Sequence, residues 1–282
     1  MRMREISCAE IVQTVRRLCI KANSELGPDV MCALEGALAK EESPVGKDIL
    51  RQILENHRLA AEEEVPMCQD TGMAVVFLEL GQDVHIVGGD LTEAVNEGVR
   101  QGYTQGYLRK SVVADPLRRV NTNDNTPAII HTQIVPGNRL QITVAPKGGG
   151  SENMSALAML PPAAGEEGLR RFVLEQVERA GPNPCPPVVV GVGLGGNFEK
   201  VAYLAKKALL RPVGEEHPDP FYARLERELL EEINNLGIGP QGLGGRITAL
   251  AVHIEVYPCH ITGMPVAVNM NCHAARHQTA VL

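Results

Sequence analysis

Residues 65–80 read Val65-Pro-Met-Cys68-Gln-Asp70-Thr-Gly72-Met73-Ala-Val-Val-Phe-Leu-Glu-Leu80, and the texture of the chain changes across them. Before Val65, apolar residues recur at helical spacing. Ile6, Ile11, Val12, Val15, Leu18 and Cys19 form a first stripe. A second periodic stretch opens at Pro28-Asp29 and ends near Ala39. A third runs from Asp48-Ile49-Leu50 to the Glu62-Glu63-Glu64 cluster. Three consecutive helices are expected from this spacing. From Met73 to Leu80 the run is short, apolar and partly β-branched, which reads as a strand. The expected class is α+β: one domain over 1–282, with a helical portion, 1–65, packed on a mixed-sheet α/β portion, 66–282.

Further elements follow from the same reasoning. Val84–Val87 reads as a strand and 91–108 as a helix. Residues 128–135 and 140–144 read as strands paired around the turn Pro136-Gly137-Asn138. Helices are expected over 165–180, 198–210 and 218–236, the last stopped by Gly237. Val188–Val192 reads as a buried strand, and 247–256 and 265–268 as late strands. No internal repeat or low-complexity segment is present.

Composition narrows the function classes. With 44% hydrophobic residues a sizeable core is available, but aromatics make up only 3% and Trp is absent, so aliphatic side chains must fill it. Few aromatics, no long basic run and a formal charge of −7 argue against a nucleic-acid partner. No apolar run is long enough to span a bilayer, and the N-terminus lacks the apolar core of a signal peptide. A cytoplasmic protein is expected, whose seven cysteines are thiols or metal ligands rather than disulfides.

Those cysteines divide by context. Cys8, Cys19 and Cys32 fall in helical patterns and read as small buried hydrophobes. Cys68 is followed at once by polar Gln69, Asp70 and Thr71. Cys185 is held between prolines in Asn-Pro-Cys-Pro-Pro, and Cys272 is surrounded by Asn, His and Arg. Cys259, in Tyr-Pro-Cys-His, is a fourth candidate. No C-x-x-C pair exists, so zinc-finger and ferredoxin patterns are absent. Three thiolates from separate loops can hold an iron–sulfur cluster and leave one iron open as a Lewis acid; four would saturate it.

Two glycine loops compete for attention. Lys147-Gly-Gly-Gly-Ser151 exposes backbone N–H groups beside a lysine, a composition suited to cradling a carboxylate or phosphate. Gly191-Val-Gly193-Leu-Gly-Gly196 matches G-x-G-x-x-G after a strand and before a helix, which would suit a nucleotide-binding oxidoreductase. That fold needs a following strand ending in an acidic residue. Here the helix gives way to the loop Arg211-Pro-Val-Gly-Glu-Glu-His-Pro-Asp-Pro, so close strand–helix packing is the favoured reading. Gly237–Arg246, equally glycine-dense, reads as a connection between helix and strand.

Taken together, Cys68-Gln-Asp-Thr-Gly72, Lys147-Gly-Gly-Gly-Ser151, Cys185-Pro-Pro187 and the Cys272 segment resemble the iron–sulfur class I fumarate hydratases. The likeness is closer to the alpha subunit of the two-subunit form, with the L(+)-tartrate dehydratase alpha subunit a near relative. The resemblance implies a [4Fe–4S] cluster on Cys68, Cys185 and Cys272, with one iron free of cysteine and Cys259 not a ligand. It implies substrate binding by Gln69, Arg109 and Gly150 and acid–base roles for Asp70 and His260. It also implies a small dicarboxylate substrate. Ser151-Glu-Asn-Met-Ser155 looks like the fumarase type, which favours fumarate over tartrate. Single-chain members continue into a further domain that adds a threonine, arginines and a lysine to the site. This chain ends at Leu282, so a separate beta subunit, an α2β2 heterotetramer and inactivity alone are expected.

Overall fold

The computed structural model describes residues 3–282. In chain order the elements are β1 (Arg4–Ser7), α1 (Cys8–Ser24), α2 (Pro28–Lys40), α3 (Pro44–Glu62), β2 (Met73–Gly81), β3 (Val84–Val87), α4 (Leu91–Gln105), β4 (Ile129–Val135), β5 (Leu140–Lys147), α5 (Gly149–Glu152), β6 (Ala156–Leu160), α6 (Gly165–Ala180), β7 (Val188–Gly195), α7 (Phe198–Ala208), α8 (Pro220–Asn235), β8 (Ala249–Tyr257), β9 (Met264–Asn271) and β10 (Gln278–Val281). The fold is α+β. No helix of the described residues is long and apolar enough to cross a membrane. The chain forms two compact units. The first comprises Met1–Leu26, His57–Gly149 and Arg276–Leu282; the second comprises Gly27–Asn56 and Gly150–Ala275. The division cuts through the helical N-terminal stretch: α1 belongs to the first unit, α2 to the second, and α3 runs from one into the other.

In the first unit a four-stranded sheet runs β10-β5-β2-β4. The expected hairpin of β4 and β5 does not form. β2 lies between them, parallel to β4 and antiparallel to β5. Burial explains the order: β5 is buried along most of its length, as a central strand should be, whereas β4 is largely exposed and takes the edge. Ile6, read as helical, instead sits in β1, paired in parallel with Ile86 of β3. The helix begins only after Ser7, whose hydroxyl accepts from the Glu10 N–H while the Glu10 carboxylate accepts from the Ser7 N–H, a reciprocal cap. α1 and α4 pack closely because α4 carries Gly98 and Gly102. A Cβ on Gly98 would lie 2.6 Å from the Val15 Cβ, and one on Gly102 would lie 2.7 Å from the Cys19 Cβ.

The second unit has the sheet β6-β9-β7-β8. Strand alternation sorts β7 between two helical layers. Val188, Val190 and Val192 join the core formed with Leu169, Val173 and Val177 of α6 and Leu225, Leu229 and Ile233 of α8. Gly191 and Gly193 point the other way, onto α7. A Cβ on Gly191 would stand 2.2 Å from the Ala205 carbonyl oxygen, and one on Gly193 would stand 2.2 Å from that of Val201. The G-x-G-x-x-G glycines thus let backbone meet backbone.

The glycine-dense loop 237–246 also gains a reason. It wraps the buried carboxylate of Glu41, which accepts backbone N–H groups of Glu42, Ser43, Arg246 and Ile247 at 2.8–3.0 Å. Burial pushes the Glu41 carboxyl up, but these four donors outweigh it and hold its pKa below the usual glutamate value. Glu41 thereby ties the end of α2 to the entry of β8.

Gly193→Ala is expected to lower stability by about 3 kcal/mol, because the new methyl meets α7 backbone that cannot move aside. Gly263→Ala, where nothing lies within 4 Å of the added Cβ, should leave the melting temperature unchanged. Thermal denaturation of both variants checks the pair.

Candidate functional site

In the first unit the segment Cys68–Gly72 is a tightly held turn between α3 and β2. Its backbone is satisfied by side chains from three other places, and the residue before it by a backbone bond to α1. The Tyr103 hydroxyl of α4 reaches the Thr71 and Gly72 carbonyl oxygens at 2.8 and 3.0 Å. Asn125 Nδ2 donates to the Gly72 carbonyl oxygen at 3.1 Å. Arg276 Nη2 donates to the Asp70 carbonyl oxygen at 2.6 Å. Met67 N–H donates to the Asn23 carbonyl oxygen of α1 at 2.9 Å. Gly72 is required: its φ is +72°, and a Cβ there would lie 2.6 Å from the Lys147 backbone.

Within this turn Cys68 is a free, half-buried thiol whose sulfur accepts the Asp70 N–H at 3.4 Å. Gln69 is exposed beside it, its Oε1 3.3 Å from the Cys68 sulfur. Asp70 accepts the Gly72 N–H on Oδ1 at 3.0 Å and the Gly149 N–H on Oδ2 at 2.8 Å. The glycine loop read as an anion cradle therefore binds a carboxylate of its own chain, and begins the single turn α5 rather than a free loop. Gly148 faces the same carboxylate, a Cβ there lying 3.3 Å from Oδ2.

The buried Thr71 hydroxyl fastens the Arg109 segment to this turn. It accepts the Arg109 N–H at 2.9 Å and donates to the Arg109 carbonyl oxygen at 3.2 Å. The Arg109 side chain is exposed. Over the next two residues, Asn121 Nδ2 donates to the Lys110 carbonyl oxygen at 2.9 Å and the fully buried Asn125 accepts the Ser111 N–H at 2.6 Å. The polar run Asn121–Thr126, given no role from sequence, is thus the clasp of the Arg109 loop. Asn123 and Asn125 have φ of +68° and +61°, a conformation that asparagine tolerates, so the asparagine-rich composition of the run was the signal in the sequence.

In the second unit Cys185 is exposed, with φ +56°, and is followed by a cis Pro186-Pro187 bond. It stands just before β7, and Cys272 stands just after β9. These strands are antiparallel, with Val189 opposite Asn271, so both cysteines emerge at one end of the sheet. The His273 N–H donates to the Cys185 carbonyl oxygen at 3.3 Å. Gly150 approaches the same loop, a Cβ on it lying 3.4 Å from the Asn183 carbonyl oxygen. His260 does not join them. β8 is parallel to β7, with Tyr257 opposite Gly195, so His260 and Cys259 leave the opposite end, about 25 Å of strand away. There the His260 Nδ1 and the Thr262 hydroxyl lie 2.8 Å apart. Ser151–Ser155, read as diagnostic of substrate, is knitted into the sheet instead. Glu152 pairs with Lys206 and accepts from Asn269 Nδ2 at 2.8 Å, and Asn269 also donates to the Ser155 hydroxyl.

Among the described residues, no three or more His, Cys, Asp or Glu side chains are grouped to hold a single metal ion. The candidate donors are thiols on stiff loops, a set suited to iron–sulfur ligation rather than to a hard cation.

Comparison with known proteins gives the family. The model of the family described as "Fumarate hydratase (Fumerase)" matches residues 12–281. A protein of Methanocaldococcus jannaschii, provisionally named L(+)-tartrate dehydratase subunit alpha, is 46% identical over 273 residues, 95% of each chain. The L(+)-tartrate dehydratase subunits alpha of Escherichia coli (strain K12) and Shigella boydii are each 34% identical over 277 residues, 97% of this chain and 91% of theirs. The chain belongs to the fumarate hydratase family, and its class is that of the hydro-lyases.

Two buried histidines set the acid limit of the fold. Burial, and then the positive charge of Arg276, push His57 down to about 4. Burial, and then Arg211, push His253 down to about 4. In the unfolded chain each takes its proton near pH 6.5. Stability is therefore full above about pH 6.5 and falls as the pH drops toward 4, by on the order of 3 kcal/mol per histidine. Urea midpoints measured across that window should decline, and His57→Gln should flatten part of the decline.

Proposed function

We propose that this chain is the alpha subunit of an iron–sulfur fumarate hydratase, interconverting fumarate and (S)-malate in the cytoplasm together with a beta subunit, as an α2β2 assembly. The observation that carries this reading is the Thr71 clasp. It fixes Arg109 to the turn that bears Cys68, Gln69 and Asp70, so a thiolate ligand, a carboxylate and a dicarboxylate-binding cation share one rigid turn. Family membership supplies the hydro-lyase chemistry, and the alpha-subunit names of the relatives support a partner chain.

In this reading Cys68, Cys185 and Cys272 hold a [4Fe–4S] cluster. The donor set fits: none of the three thiols is in a disulfide, each lies on a loop rather than inside a helix, and two emerge at the same sheet end. The fourth iron, bound by no cysteine, supplies Lewis-acid chemistry to the hydroxyl that is lost or added. Arg109, exposed and held by its backbone, makes a bidentate contact to one substrate carboxylate. Gln69 and the backbone of Gly150 donate to the other oxygens. These donors stabilise the charge that builds on the carboxylate next to the carbon losing its proton. Asp70 keeps lone pairs beyond the two that accept backbone N–H groups, and relays a proton beside Cys68. His260, at the far end of the second sheet, has no part in this scheme within its own chain.

A second reading, L(+)-tartrate dehydration, is favoured by the names of the relatives. Both substrates present two carboxylates and a leaving hydroxyl, so the same residues serve either.

Anaerobic co-purification with the beta subunit, reconstitution with iron and sulfide, and assay on fumarate, L-malate and L-tartrate test the proposal. Oxygen-sensitive hydration of fumarate, absent from the alpha chain alone, is expected. Turnover of tartrate without fumarate would move the assignment to the second reading. Cys68→Ser, Cys185→Ser and Cys272→Ser should each reduce iron content and abolish activity, whereas Cys259→Ser and His260→Ala should retain iron. Arg109→Ala should raise KM at least tenfold; unchanged kinetics would remove it from the site.

A further inference from the structure

Among the described residues, Arg276 is the one deeply buried arginine of the first unit, only 4% exposed. A guanidinium carries five N–H donors and a permanent charge. Here Nη2 donates to the Asp70 carbonyl oxygen at 2.6 Å, while Nε and Nη1 are sealed from solvent with no hydrogen-bond partner. Among the described residues no carboxylate forms an ion pair with it. The other well-buried arginines differ: Arg211 pairs with Glu226, and Arg170 pairs with Glu166, Glu228 and Glu232. A buried cation with no counter-charge is strongly disfavoured. Its field is felt nearby, since it is the second cause, after burial, of the low pKa of His57.

The position of Arg276 points to the missing charge. Its hydrogen bond falls on Asp70, whose own N–H is accepted by the Cys68 sulfur. The sealed Nε and Nη1 cannot meet a diffusing substrate, so the balancing charge must be fixed in the protein. A four-iron core of charge 2+ held by three thiolates is a net anion.

Resting on the cluster assignment above, we propose that Arg276 is the built-in counter-charge of the cluster at Cys68, a positioning residue that retains the cluster and raises its reduction potential. The holding bond to Asp70 keeps the ligand turn in shape. The charge favours the added electron and opposes loss of the anionic cluster.

The test uses the reconstituted two-subunit enzyme and its Arg276→Lys and Arg276→Met variants. The readouts are the cluster's midpoint potential and the half-time of iron loss to a chelator. In Arg276→Met the potential should shift downward and iron should be lost several-fold faster, with Arg276→Lys restoring most of both. A cluster in Arg276→Met with the wild-type potential would overturn the proposal. Should that variant not fold, labelled His57 in the wild-type enzyme decides. Its pKa should rise when the cluster is loaded, as the anion offsets Arg276, and an identical pKa with and without the cluster would overturn the proposal. Failure of the wild-type enzyme to take up any iron is a different outcome, and sinks the cluster assignment itself.

Discussion

The turn Cys68–Gly72 is the constraint on which the rest of the first unit's chemistry depends. A turn that is partly buried must satisfy its own backbone, and this one draws on Tyr103, Asn125 and Arg276 to do so. In exchange its side chains organise their surroundings. Thr71 takes hold of the Arg109 segment and Asp70 takes hold of the glycine turn. Buried polar networks of this kind are costly when incomplete and rigid when complete. If Cys68 ligates a cluster as proposed, the turn supplies the rigidity such a donor needs, because a metal group is held only as firmly as its least ordered donor.

The second unit solves a related problem with backbone alone. Gly191 and Gly193 let α7 rest directly on β7, and the valines between them fill the opposite core. The sheet becomes a stiff platform whose one end carries Cys185 and Cys272. Glycines that might have cradled a nucleotide's phosphates serve packing instead, which removes the main sequence argument for an oxidoreductase.

Much of this was legible in the sequence, and the failures have physical causes. Long periodic helices and the apolar run of β2 were readable because their patterns are local. That Cys68, Cys185 and Cys272 lie on loops was readable because their polar and proline neighbours break helical and strand periodicity. Strand order was not. The turn at Pro136–Asn138 suggested a local hairpin, but the buried face of β5 found a better partner in β2. Short strands such as β1, β6 and β10 carry too few residues for a period to show. The anion of the glycine loop was hidden because Asp70 lies 79 residues away. The separation of His260 from Cys185 and Cys272 depends on strand direction, which no motif records.

In the proposed function this chain helps to hold a four-iron cluster with one iron bound by no cysteine. Iron Mössbauer spectroscopy of the anaerobically reconstituted two-subunit enzyme, with and without fumarate, tests it most directly. One iron of four should change its signal on adding the dicarboxylate, while the other three should not. Four irons that remain equivalent with substrate present, or a protein that takes up no iron, would contradict it.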